Sequence, residues 1–221
     1  MTTYLTRLFK INWVFLLFSI VIIYNCMQAP LYFPKKPPQL NPAVFYVFFQ
    51  VVTTLFYFFV LPALLTKFIL KTPLKKVGYI IPKNQLKTYI AFIIAFLLLV
   101  PSMYALTQYP SFRAVYTLKD SPLIQLSVFA LLFPIYYFAE EFFFRGFLFL
   151  SLWERLGWHS FWITDIIFTL SHFGKPMMEI LLCIPASVIF NFLTLYTRSF
   201  FPAMVIHYIM GIFALVWVNF C

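Results

Sequence analysis

Six stretches of this chain contain no Lys, Arg, Asp or Glu: 11–34, 37–66, 88–112, 121–139, 180–197 and 199–221. Each is close to the roughly 20 apolar residues that a helix needs to cross a hydrocarbon layer. A seventh stretch, 156–174, is nearly as apolar, interrupted by Asp165, His159 and His172. Overall 63% of positions are hydrophobic and 10% charged, against about 45–50% and about 25% in water-soluble domains. The bilayer is therefore the expected solvent. We expect helices near 11–29, 43–66, 88–107, 123–152, 157–174, 178–197 and 199–220, an all-α polytopic transmembrane helical bundle of about seven spans. The first should stay as an anchor, because it is long enough to span and lacks a small-residue cleavage site.

Charge is unevenly distributed. The net charge is +10, yet every acid lies between Asp120 and Glu179. The cations sit in short gaps between apolar runs, where they act as topology signals and contacts with anionic lipid headgroups. That placement argues against nucleic acid as a partner. Lys67, Lys71, Lys75, Lys76, Lys83 and Lys87 crowd the longest gap. With that gap in the cytoplasm, the N-terminus is inside too, with Arg7 and Lys10, and seven spans bring Arg155 and Arg198 to the same side. Prolines 62, 101, 134, 185 and 202 fall within apolar spans and are expected to kink them. Cys26, Cys183 and Cys221 have no metal-binding spacing and read as small apolar residues.

An ionisable group inside a span costs roughly 2.5–3.5 kcal/mol on insertion scales, so each one present needs a reason. Nearly all of them fall in the C-terminal half. Glu140 and Glu141 are adjacent in an apolar run, and Arg145 follows Glu141 by four, the favourable order for an intrahelical pair. Pairing with Arg145 leaves Glu140, about 100° around the helix, to face a different neighbour. Phe168 and His172 share a face, with Asp165 on the same side. His207 lies inside the last apolar run. One carboxylate pair, one arginine and two histidines on three helices make a candidate acid–base site. A proton relay through Glu140, Glu141 and His172 is a rival reading, weakened by the absence of the duplicated halves common in transporters.

Glu140-Glu141-x-x-x-Arg145 with Gly146 after it, then Phe168-x-x-x-His172, then the late His207, resembles the intramembrane CAAX endopeptidases and bacteriocin-processing enzymes (the CPBP or Abi family). The resemblance covers about residues 120–215 and divides the chain into N-terminal membrane helices, 1–119, with their basic loop, and a catalytic helical core, 120–221, in the last four helices. It implies an endopeptidase within a membrane; the length and the lack of a soluble appendage suggest a prokaryotic protein, and so a prokaryotic cytoplasmic membrane. The substrate is then a peptide or protein, which in this family can be lipid-modified. It also implies Glu140 as general base with His172 beside it, His207 as oxyanion donor, and Glu141, Arg145 and Phe168 in support. The family's third motif usually ends in Asn or Asp four residues after the histidine, whereas this chain has Gly211. Asn191, on the preceding helix, is a geometrically possible substitute, although an interhelical hydrogen bond is the favoured reading of that residue. No cofactor is favoured. Zinc is the alternative, since two histidines and a glutamate are a sufficient catalytic ligand set, although Arg145 competes with a cation. Gly211 also leaves open a catalytically weakened or inactive immunity or partner-binding protein of the same family.

Overall fold

A computed structural model describes residues 42–119 and 121–221, together with Ser19, Ile20, Ile23 and Tyr24. The expected first helix, 11–29, and the basic residues Arg7 and Lys10 lie outside the described residues. Among the described residues the chain is helical with no strand. Five helices are long and apolar enough to cross a membrane: α1 (Val44–Ile69), α2 (Gln85–Leu106), α4 (Pro122–Leu156), α6 (Met177–Thr197) and α7 (Phe201–Phe220). Two shorter ones complete the set, α3 (Pro110–Tyr116) and α5 (His159–Ser171). The fold is an all-α polytopic bundle, as the apolar runs require.

α5 departs from the expected span over 157–174. Its 13 residues cover about 20 Å, short of the roughly 30 Å hydrocarbon core. Gly157 and Gly174, both at positive φ, bound it, because L side chains rarely adopt that backbone conformation. α5 nonetheless joins opposite ends of the bundle. At one end Arg198 meets Glu154 at 3.4 Å and the Phe200 N–H donates to the Gly78 carbonyl. At the other, Lys175 donates to Tyr116 at 2.8 Å and Arg113 donates to the Val218 carbonyl at 3.0 Å. Pro202 does not interrupt a helix interior: it stands in the first turn of α7, where its missing N–H has no intrahelical partner to lose.

Polarity is inverted relative to a soluble protein. α2 turns Ile90, Ile93, Ile94, Leu97 and Leu98 outward, while Glu141, Arg145, Ser187 and Asn191 are fully buried. Apolar residues facing lipid gain nothing by turning inward, so tight packing and internal hydrogen bonds hold the helices together. α4 is the central element, packing on α1, α5, α6 and α7. Directly after Glu141 it widens into a π-helical stretch, Phe142–Leu150, a form found mostly as short insertions at functional sites. A second such stretch in α1, Leu55–Val60, lies against it, with Phe58 stacked on Phe143 at 4.7 Å.

Gly146 fixes how closely α4 can approach the loop before α2. A Cβ at that position would sit 2.5 Å from the carbonyl oxygen of Val77, closer than real atoms pack. Gly146→Ala is therefore expected to destabilise the full-length protein by about 1–3 kcal/mol, the usual cost of overpacking. Thermal melting in detergent measures this, and an unchanged melting temperature would mean that the loop and α4 do not touch.

Candidate active site

Arg145 is one of the largest fully buried side chains in the molecule. A guanidinium sealed from water is tolerated only if nearby acceptors replace its hydration. Its Nε donates to Glu141 Oε2 at 3.0 Å. Its Nη1 donates to Ser187 Oγ at 3.0 Å and to Asn191 Oδ1 at 3.1 Å. Ser187 and Asn191 in turn donate to one oxygen of Asp165, at 2.6 and 2.9 Å. The Arg145 plane lies over Phe168, 4.5 Å from the ring centre, with Phe190 at 5.4 Å, contacts that suit a flat delocalised cation. One arginine thus fastens α4, α5 and α6 together.

Glu141 carries the network to α7. Its second oxygen, Oε1, accepts from His207 Nδ1 at 2.6 Å. Glu140 Oε2 stands 3.6 Å from the same nitrogen and has no hydrogen-bond partner among the described residues. The two adjacent carboxylates therefore differ in state: one is held by an arginine and a histidine, the other has an oxygen left over. On α5, His172 Nδ1 faces the Phe168 carbonyl at 3.0 Å. A donated Nδ1–H there leaves Nε2 as the acceptor. Phe168 is the common wall, 4.6 Å from the His172 ring and 6.2 Å from that of His207, centre to centre.

Glu140, His172 and His207 line a single pocket of about 350 Å³ that Tyr137 and Gly211 also line. The pocket reaches the end of the bundle occupied by Tyr116, Lys175 and Glu179. There Tyr116 donates to Glu179 Oε1 at 2.7 Å. Burial, with the Glu179 carboxylate beside it, holds the Tyr116 phenol well above its ordinary pKa, so it stays a donor. Phe112, Phe129 and Phe133 contribute apolar wall.

The structure brings Glu140, Glu141, Arg145, Phe168, His172 and His207 into one connected group. Asn191 goes elsewhere than the sequence suggested for a substitute of the residue at 211. Both ends of its amide are taken, by Arg145 and Asp165, and it does not line the pocket. Sequence reasoning did not find Ser187, a lone serine in an apolar helix, or the role of Asp165 as its partner. Nor did it single out Tyr137, although Tyr137 stands three residues before Glu140 and so on its face of α4.

Residues 121–213 match the Rce1-like family, the type II CAAX prenyl endopeptidases. The matched region runs from α4 into α7 and holds every residue of the group just described. No curated protein and no solved structure matches the chain. Over this stretch, less than half of the chain, the protein is similar to a family of intramembrane endopeptidases, hydrolases that act on peptide or protein substrates. The five long apolar helices make it a multi-pass integral membrane protein.

Three ligand atoms of this group, one each from Glu140, Glu141 and His207, lie within 4.8 Å of one another, a set that could hold a metal ion. His172, the second histidine of the expected zinc set, is not in that group. Glu141, moreover, already has Arg145 on one oxygen and His207 on the other. The donor set fits a zinc ion poorly, because a cation there competes with a guanidinium for the same carboxylate.

Removing the guanidinium leaves Glu141 and Asp165 buried without their cation. Arg145→Met is expected to cost about 3–5 kcal/mol, as when one partner of a buried pair is deleted. Arg145→Lys, which restores the charge without the fork, should recover only part of it. Melting of the full-length variants in detergent measures both, and Arg145→Met melting like the wild type would show that the network carries no stability.

Proposed function

We propose that this chain cleaves a peptide bond within the membrane by activating a water molecule with Glu140. The observation that supports the reading best is that Glu140, with an oxygen free of hydrogen bonds, shares one pocket with His172 and His207. In the proposed reaction Glu140 takes a proton from water as the water oxygen attacks the scissile carbonyl carbon. His172 orients that water through its free ring nitrogen. The carbonyl oxygen becomes an oxyanion, stabilised by a hydrogen bond from Nε2–H of His207, whose ring carries both protons in this step because its Nδ1–H is already donated to Glu141. On collapse the carbon–nitrogen bond breaks, and the proton held by Glu140 passes to the leaving nitrogen. Glu141 and Arg145 position this machinery: they touch Glu140's neighbours and fix His207, and they do not meet the substrate.

The zinc reading rests on the three converging donors Glu140, Glu141 and His207. We favour the metal-free reaction because Arg145 and His207 already occupy Glu141. Metal analysis of the purified protein, with cleavage measured before and after chelation, separates the two. The metal-free route predicts no stoichiometric zinc and no loss on chelation.

We also propose a prokaryotic cytoplasmic membrane with the N-terminus inside. Lys75, Lys76, Arg155 and Arg198 meet around one cavity at a single end of the bundle, the pattern expected of a cytoplasmic face. The apolar pocket wall of Phe112, Phe129 and Phe133 suits a substrate with a lipid chain or apolar residues beside the cleaved bond.

Glu140→Gln keeps the side chain's shape and breaks no hydrogen bond of Glu140 Oε2, so its melting temperature should stay within about 1 kcal/mol of wild type in stability. Loss of the general base should slow cleavage by about 10²–10⁴-fold. Terminal-peptide proteomics of membranes carrying wild type or Glu140→Gln reads this directly. New termini present only with the wild type are the expected result and name the substrate. Identical termini in both would leave a partner-binding or immunity role as the better account.

A further inference from the structure

The polar residue expected four positions after His207 is replaced by Gly211, and the structure contains something in its place. A Cβ built on Gly211 would fall inside van der Waals range of the Tyr137 hydroxyl oxygen, 2.9 Å from Cζ and 3.1 Å from Cε2 of the same ring. The tip of the Tyr137 side chain, from α4, fills the space that any larger residue at 211, on α7, would take. Only glycine leaves room for it.

Tyr137 is held there firmly. Its ring packs on His207 with centres 4.4 Å apart, and on Phe133, Tyr136 and Tyr208 on its other sides. The side chain is more than nine-tenths buried. Besides these rings it meets Gly211, and its hydroxyl makes no hydrogen bond to another described residue. It lines the pocket together with Glu140, His172 and His207. The hydroxyl is open to the pocket and its O–H is free to donate to a group that enters it. Here the nearest functional groups are those of the pocket.

We propose that Tyr137 is a catalytic residue of this chain, whose O–H donates to the carbonyl oxygen of the substrate as negative charge develops on it. His207 supplies one donor and Tyr137 the second. Gly211 is then a specific requirement of this arrangement, because it clears the space into which the phenol reaches. The assignment rests on the peptidase reading above and deepens it.

The test uses full-length variants expressed to matched levels, reading the initial rate at which Glu140-dependent new termini accumulate in membranes, with thermal melting in detergent alongside. Tyr137→Phe removes only the oxygen. Loss of one oxyanion donor slows turnover by about 10²–10³-fold, so a loss of that size with an unchanged melting temperature is expected. Gly211→Asn alone should be inactive or unstable, because its side chain collides with the phenol. In the background of Tyr137→Leu, which vacates the space, Gly211→Asn supplies an amide donor and should restore at least about tenfold of the lost rate. A Tyr137→Phe rate within twofold of wild type, while Glu140→Gln abolishes cleavage, overturns the Tyr137 assignment and leaves the peptidase reading standing. Absence of Glu140-dependent termini from the wild type overturns both.

Discussion

A single carboxylate, Glu141, is shared between a buried arginine and a buried histidine, and the arrangement of the site depends on that sharing. One oxygen takes the Arg145 guanidinium at 3.0 Å and the other takes His207 Nδ1 at 2.6 Å. With little water in reach, an ionised group here needs partners in the protein, and each partner is fixed by the others. Through Arg145 the contact extends to Ser187 and Asn191 on α6 and onward to Asp165 on α5. Four helices are thereby joined at one depth by polar contacts. Glu140 is left next to this network with one oxygen unpaired among the described residues, as the proposed role of general base requires.

Packing supports the same geometry. In a bilayer, helices gain little by hiding apolar side chains from lipid, so close backbone approach and ring contacts do much of the work. Gly146 lets α4 meet the Val77 carbonyl, and Phe143 and Phe144 of the wide π-helical turn after Glu141 pack on the Phe58 ring of α1. Phe168 serves both arginine and histidines as a flat wall. The abundance of phenylalanine thus has two uses: a lipid-facing surface, and a rigid lining around a small polar site.

The spans were legible because their signal is long and local. The charge-free run at 37–66 became α1, and those at 88–112, 180–197 and 199–221 became α2, α6 and α7 with ends displaced by only a few residues. The span expected over 157–174 shortens to α5 because Gly157 and Gly174 bound the helix, and the π-helical turns leave no periodic trace in so uniformly apolar a run. At the site, Glu141 with Arg145 was readable from a spacing of four. That Glu141 also holds His207 was not, since 66 residues separate them and nothing in either segment points to the other. The meeting of Tyr137 with Gly211 is hidden for the same reason: a glycine is visible in a sequence, but the side chain that occupies its vacant space is not. Asn191 is an interhelical hydrogen-bonding residue, the favoured reading of an amide in an apolar helix, and not a substitute for the residue at 211.

The most direct test of this account asks which carboxylate holds His207. Nitrogen and proton NMR of the full-length protein, labelled at histidine, reports the state of the His207 Nδ1–H. The account predicts a strongly hydrogen-bonded Nδ1–H signal that persists in Glu140→Gln and is lost or moved far upfield in Glu141→Gln. A signal that survives Glu141→Gln and disappears in Glu140→Gln would contradict it.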